Sequence, residues 1–179
     1  MRESHPYFVF LTGFMASGKS TVGRKLAEKH GWPFIDLDAY IESVTGAAIH
    51  EIFERDGEAA FRKWESDCLQ DLLSLPGSFY LVACGGGTPC FFDNTSWMKE
   101  NGIIVLLDPP FEEIEKRLAE HQGQRPLLTS NQQHGLSHLR SLWEERRPCY
   151  LQADHRLTAP QHMLQALENI VDLAISEIS

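Results

Sequence analysis

The chain has 179 residues, 42% of them hydrophobic and 23% charged. That length is enough to bury a proper core, and the balance is that of an ordinary globular protein. A net charge of −9 argues against a general nucleic-acid binder, which needs a basic face.

The first expected element is a buried strand over Tyr7–Leu11, an apolar run rich in branched and aromatic residues. Directly after it, Gly13-Phe14-Met15-Ala16-Ser17-Gly18-Lys19-Ser20 fits the phosphate-binding pattern G-x-x-x-x-G-K-[ST]. A helix is expected over Lys19–His30, with Val22, Leu26 and Ala27 at helical spacing. Strand, loop and helix is the context this pattern requires. Gly13 and Gly18 permit backbone angles that a Cβ makes costly. The loop through Ala16, Ser17 and Gly18 to Thr21 can then turn its N–H groups toward phosphate oxygens, at the positive end of the helix dipole. Lys19 is expected to reach the β- and γ-phosphates of a nucleoside triphosphate, and the Ser20 hydroxyl to help hold Mg²⁺; the motif alone leaves a kinase, an ATPase, a GTPase and a non-hydrolysing switch open.

A second strand is expected over Pro33–Asp36, followed by helices Asp38–Val44, Ile49–Arg55 and Gly57–Ser74. Asp36 and Asp38 stand at the C-terminal end of that strand, the edge where ligands bind in open α/β sheets. On an extended segment, residues i and i+2 point the same way. One carboxylate could then order Mg²⁺ through water while the other binds or deprotonates a hydroxyl. Asp38 also reads as an ordinary helix N-cap. From spacing alone, Arg62, like Arg146 and Arg147 further on, reads as a solvated helix arginine in preference to an anion ligand.

The third strand, Phe79–Cys84, runs into Gly85-Gly86-Gly87. Three glycines let a ligand approach the backbone closely and offer a nest of N–H donors. A helix over Asn94–Asn101 and a strand over Ile103–Asp108 follow, and Pro109-Pro110 marks entry to a helix over Phe111–His121. Residues 121–135 are polar and long for a link between helices, which fits a lid, with Arg125 inside it. The remaining elements are a helix over Leu136–Ala153 carrying Arg146 and Arg147, a strand over His155–Thr158, and a helix over Pro160–Glu177. Met163, Leu164, Leu167, Ile170, Val171, Ala174 and Ile178 line one side of the last helix, so it packs on the sheet. Alternating strands and helices imply a parallel sheet covered on both faces.

Cys68, Cys84, Cys90 and Cys149 include no C-x-x-C pair, and the eight histidines form no metal signature. Reduced thiols in a cytoplasmic protein are expected. The apolar run Tyr7–Met15 is too short to span a bilayer and lacks a signal-peptide cleavage pattern.

The ordered set Gly-Phe-Met-Ala-Ser-Gly-Lys-Ser-Thr, Phe-Ile-Asp-Leu-Asp, Phe-Arg-x-x-Glu, Gly-Gly-Gly-Thr, Arg-Pro-Leu-Leu and Glu-Arg-x-x-x-Tyr resembles shikimate kinase. The resemblance runs from about Tyr7 to about Thr158. It implies a three-layer α/β/α fold like that of the nucleoside monophosphate kinases. The sheet would be five-stranded and parallel, in the order 2-3-1-4-5, with a mobile lid. One domain would span residues 1–179, with its core at 7–158, the lid at about 121–135 and a C-terminal helix at about 160–177. The implied reaction moves the γ-phosphoryl of ATP to the 3-hydroxyl of shikimate, a step in chorismate and aromatic amino-acid synthesis. By motif, Lys19 and Ser20 would hold phosphates and Mg²⁺, and Asp36 would touch the Mg²⁺ shell through water. Asp38 would grip shikimate hydroxyls and act as base. Arg62 and Arg146 would clamp the carboxylate, and Gly85, Gly86 and Gly87 would contact shikimate through the backbone. Arg125 would be the lid arginine, and Arg117 would lie near adenine.

Two positions depart from the family pattern. Ala16 stands where glycine is commoner, with little expected effect provided its backbone angles suit alanine. Cys149 stands where leucine is commoner, a packing change that leaves Arg146 in place. A gluconate or nucleotide kinase on the same scaffold would share the phosphate loop but not the combination of the paired aspartates, Phe61-Arg62 and three glycines. A nucleotide-binding switch would need no acceptor pocket, and no N-K-x-D guanine motif is present. A monomer is expected, free of nucleic acid and membrane.

Overall fold

A computed structural model describes residues 5–120 and 132–178. Five parallel strands, β1 (Tyr7–Thr12), β2 (Phe34–Asp36), β3 (Phe79–Ala83), β4 (Gly102–Leu107) and β5 (His155–Leu157), form one sheet in the order β2-β3-β1-β4-β5. The central strand β1 pairs Tyr7 with Phe79 on one side and Phe8 with Gly102 on the other. This is the order the resemblance implies.

Helices cover both faces, and the side-chain period of two divides β1 between two cores. Phe8 and Phe10 point to one face, against Leu37, Ile41, Ile52, Phe61 and Leu69. These come from α2 (Leu37–Thr45) and α3 (Ile49–Asp71). Val9 and Leu11 point to the other, against Leu26, Leu167 and Val171. Those belong to α1 (Lys19–His30) and α7 (Met163–Ile178). The remaining helices are α4 (Asn94–Asn101), α5 (Phe111–Glu120) and α6 (Gln132–Tyr150). A third cluster joins Phe14 and Leu106 to Phe111, Leu139 and Tyr150, fastening α5 and α6 beside the end of β4.

Several boundaries differ from those expected. The helices expected on either side of Asp56 run together as α3, with a break in helical geometry at Gly57 (φ 81°, ψ 174°). Helix α6 begins at Gln132 and not Leu136, so Gly135 lies within it. The expected lid falls largely on residues 121–131, outside the described residues, and Arg125 falls there too. On α7, Met163, Leu167, Val171 and Ala174 are buried, but Leu164 is 40% exposed. Its position lies at the border of the apolar stripe, where the sheet no longer reaches it. No helix among the described residues is long and apolar enough to cross a membrane.

Candidate active site

The C-terminal ends of β1, β2 and β3 bring the expected chemistry together. After β1, the phosphate loop turns through Gly13 (φ 137°) and Gly18 (φ 104°) into α1. Ser17 and Lys19 are buried within it, while Ser20 and Thr21 are exposed on the first turn of α1. Lys19 Nζ donates to the carbonyls of Gly13 (2.8 Å) and Phe14 (2.9 Å). Its charge thus lies against its own loop's oxygens, in the place where phosphate oxygens compete for it. Arg117, on α5, donates through Nη1 to the Ala16 and Ser17 carbonyls, both at 3.0 Å. It thereby buttresses the loop from outside.

The condition attached to Ala16, backbone angles that suit alanine, is not met. The Ala16 φ is 59°, in the left-handed region. That region costs an L-residue about 1–2 kcal/mol and costs glycine almost nothing. The loop keeps this conformation because its neighbours fix it.

The paired aspartates also arrive differently from the extended pair expected. Strand β2 ends at Asp36 and α2 begins at Leu37. Asp36, not Asp38, is the N-cap, its carboxylate accepting from the Ala39 N–H at 3.4 Å. Asp38 sits in the first turn of α2. The two carboxylates still act on one another. Burial raises the Asp38 pKa first, then the charges of Asp36 and Glu65, with Lys19 opposing. The result is a carboxyl pushed from 3.8 to about 6, poised to take a proton near neutral pH.

Arg62 is not a solvated helix arginine. It is 7% exposed on α3 and donates to Glu65 Oε2 at 2.8 Å and to Glu58 Oε1 at 3.1 Å. Its guanidinium also lies 4.4 Å from the Phe91 ring centroid, a cation–π contact that holds the planar fork in place.

The glycine triplet explains its own composition. A Cβ at Gly85 would stand 2.5 Å from Glu65 Oε1 and 2.9 Å from Asp38 Oδ1. At Gly87 it would stand 2.5 Å from Arg62 Nη1, and at Gly86 3.7 Å from Arg146 Nη1. The acid groups and both arginines therefore converge on this backbone, and side chains at Gly85 or Gly87 would displace them. Arg146 Nη1 also donates to the Gly86 carbonyl at 3.3 Å. Arg147 turns away from the triplet and pairs with Asp108 at 3.3 Å.

Three further residues belong to this arrangement. Glu65 is fully buried, and besides Arg62 it accepts from Thr88 Oγ1 at 2.7 Å. The Tyr150 hydroxyl donates to the same Gly86 carbonyl as Arg146. Glu65 carries a sequence signal, its i+3 spacing from Arg62 on a helix. Thr88 and Tyr150 carry only their positions in the Gly-Gly-Gly-Thr and Glu-Arg-x-x-x-Tyr motifs.

The chain is similar to known proteins over most of its length. The shikimate kinase family model matches residues 15–178. A shikimate kinase from Gloeobacter violaceus is 44% identical over 151 residues, spanning 84% of this chain and 82% of that protein. The crystal structure of shikimate kinase from Bacteroides thetaiotaomicron is similar with a TM-score of 0.84 and 32% identity, over 93% of this chain and 98% of that one. The Acinetobacter baumannii shikimate kinase, solved in complex with shikimate, gives 0.79 and 35% over 97% of this chain and 96% of that one. Phosphate loop, buried acid and glycine–arginine cradle thus occur in a chain that belongs to the shikimate kinase family, the ATP-dependent kinases that convert shikimate to shikimate 3-phosphate.

Proposed function

We propose that this chain performs its family's transfer with Asp38 as the base for the shikimate 3-hydroxyl. In the same reading Arg62 and Arg146 clamp the shikimate carboxylate, and Gly85, Gly86 and Gly87 contact shikimate through the backbone. Lys19 and Arg125 meet the charge of the transferred phosphoryl group, with Arg125 drawn from the resemblance alone. The loop at Gly13, Ala16, Ser17, Gly18, Ser20 and Thr21 holds the phosphates of ATP, and Arg117 braces it. The observation that carries the reading is Asp38, a half-buried acid at about pKa 6 beside Lys19, facing the same glycine backbone as two arginines.

The donor set fits Mg²⁺. Ser20 offers an exposed hydroxyl and Asp36 a half-buried carboxylate, both hard oxygen donors. No group of three or more His, Cys, Asp or Glu among the described residues is placed to hold a metal. An ion that keeps several waters and takes phosphates as ligands needs no such cage. When bound, it supplies positive charge to the phosphate oxygens.

The chain's own groups supply the rest. Phosphoryl transfer asks mainly for positioning and charge stabilisation. Lys19 exchanges its loop carbonyls for phosphate oxygens. Arg62, held by Glu65 and Phe91, presents a rigid fork that suits a carboxylate. Burial first, then the charges of Asp36 and Glu65, keeps the Asp38 proton affinity high enough for it to accept a proton.

The decisive experiment follows ADP release from Mg-ATP with shikimate, gluconate or AMP. Strong stimulation by shikimate alone supports the reading. Tight ATP binding without stimulation by shikimate overturns it. The clamp has its own test. Arg62→Lys keeps a charge beside Glu65 but loses the fork, so the shikimate KM rises roughly tenfold while the ATP KM holds. An unchanged shikimate KM rejects Arg62 as a clamp.

A further inference from the structure

Cys90 and Cys149 take no part in the transfer just described, yet they meet at the acceptor cleft. Cys90 ends the 3-10 turn Thr88–Cys90 that follows the glycine triplet, and its N–H donates to the Gly87 carbonyl at 2.8 Å. Cys149 lies three residues after Arg146 near the end of α6, so both share one face of the last turns. The 3-10 turn packs against α6. Cys90 Sγ stands 3.9 Å from the Arg146 carbonyl, on the turn of α6 that carries Cys149, and after burial Cys149 is the neighbour that most raises the Cys90 thiol. Both are free thiols and both are partly exposed, whereas Cys68 and Cys84 are buried.

We propose that Cys90 and Cys149 form a reversible disulfide that locks the acceptor cleft and lowers affinity for shikimate. The consequence for shikimate rests on the clamp reading above, while the crosslink does not. With Cys90 Sγ already against the turn of α6 that bears Cys149, a local approach of that turn brings the two sulfurs to a bonded distance of about 2.05 Å. The oxidant is a hydroperoxide. The Cys149 thiolate attacks one peroxide oxygen, the O–O bond breaks, and hydrogen peroxide yields one water and a sulfenic acid. Cys90 sulfur then attacks the Cys149 sulfur, the S–O bond breaks, and a second water leaves. Two thiols lose two electrons, and one peroxide becomes two waters. Burial pushes the Cys90 thiol up, which slows this second step, so its rate depends on the proximity of the two sulfurs.

The geometry links the bond to binding. Arg146 and Tyr150, on either side of Cys149 in α6, both donate to the Gly86 carbonyl. A disulfide draws that helical turn toward the turn after Gly87 and holds it there. Arg146 then loses the freedom to meet a carboxylate.

The test treats the full chain with hydrogen peroxide, alkylates remaining thiols, and maps disulfides by mass spectrometry beside shikimate and ATP kinetics. The expected result is a Cys90–Cys149 crosslink and a shikimate KM raised roughly tenfold, with ATP KM within about twofold. Dithiothreitol restores both. Cys149→Leu, which preserves apolar packing, forms no crosslink and keeps its shikimate KM after peroxide. Cys90→Ser does the same from the other side. Recovery of Cys90 and Cys149 as separately alkylated residues after oxidation overturns the disulfide. A crosslink that leaves shikimate KM unchanged overturns the lock. Arg146→Ala in the reduced protein probes the clamp by itself, and a normal shikimate KM there counts against the clamp, not the crosslink.

Discussion

Asp38, the proposed base, carries a stability cost. Its pKa rises from 3.8 to about 6 in the folded chain, so the folded state binds this proton more tightly than the unfolded state. The associated stability is present below about pH 3.8 and is lost as pH rises through about 6. At pH 7.5 the ionised group costs up to about 3 kcal/mol. Asp38→Asn should therefore raise the melting temperature at pH 7.5 while turnover falls by roughly 10²–10⁴ and ATP binding persists. Near-normal turnover in that variant would remove Asp38 from the chemistry. In the parent protein kcat/KM should fall about tenfold per pH unit below about pH 6. A flat profile from pH 5 to 7 contradicts this assignment. Ala16 carries a smaller burden of the same kind. Its φ of 59° suits glycine, so Ala16→Gly should stabilise by about 0.5–1 kcal/mol in a urea titration. A loss of stability would mean that the loop does not hold the angle at this cost.

At the scale of elements, α3 does two jobs that a straight helix could not. Its first part carries Ile52 into the core, and its second carries Arg62 and Glu65 toward the glycine triplet. Gly57 sets the angle between them with φ 81° and ψ 174°, a region open almost only to glycine. Open space surrounds the position a Cβ would take, so strain alone sets the cost of substitution. Gly57→Ala should destabilise by about 1–3 kcal/mol and raise the shikimate KM, because relaxing the angle moves Arg62. A changed denaturation midpoint with an unchanged KM would separate the kink from the clamp. The break at Asp56-Gly57 is legible in the sequence because glycine punctuates helices. The true start of α6 is not legible, since Gly135 and its polar neighbours read as a loop until the packing of Leu139 against Phe111 and Tyr150 overrides local preference.

Across the whole molecule, the sheet edge furthest from the acceptor cleft depends on one buried carboxylate. Asp108, just past β4, accepts from Arg156 of β5 at 2.8 Å and from Arg147 of α6 at 3.3 Å. Strand β5 has only three residues, so its ladder to β4 is short. Asp108→Ala leaves both arginines without this partner and should cost about 1–3 kcal/mol. Differential scanning calorimetry should show a fall of roughly 3–10 °C. An unchanged melting temperature would mean that the ladder and the apolar contacts suffice. Arg147 thus serves the fold while its neighbour Arg146 faces the cleft, a division set by which side of α6 each occupies.

The sequence alone determines the phosphate loop, the alternation of strands and helices, and the strand ends where Asp36, Asp38 and the glycines stand. Those follow from short-range rules, because glycine angles, helical period and strand period are written within a few residues of each other. The tertiary structure decides what contact and burial decide. It makes Asp36 rather than Asp38 the cap, buries Arg62 against Glu65, brings Tyr150 to Gly86, and sets Cys90 against Arg146 on the turn of α6 that carries Cys149. The residues in each of the last two pairs lie about 60 positions apart, and no local signal can place them together. A pKa near 6 at Asp38 has the same origin. It arises from burial first, and from Glu65 on α3 added to the nearby charge of Asp36; the burial and the Glu65 contact exist only once the chain has folded.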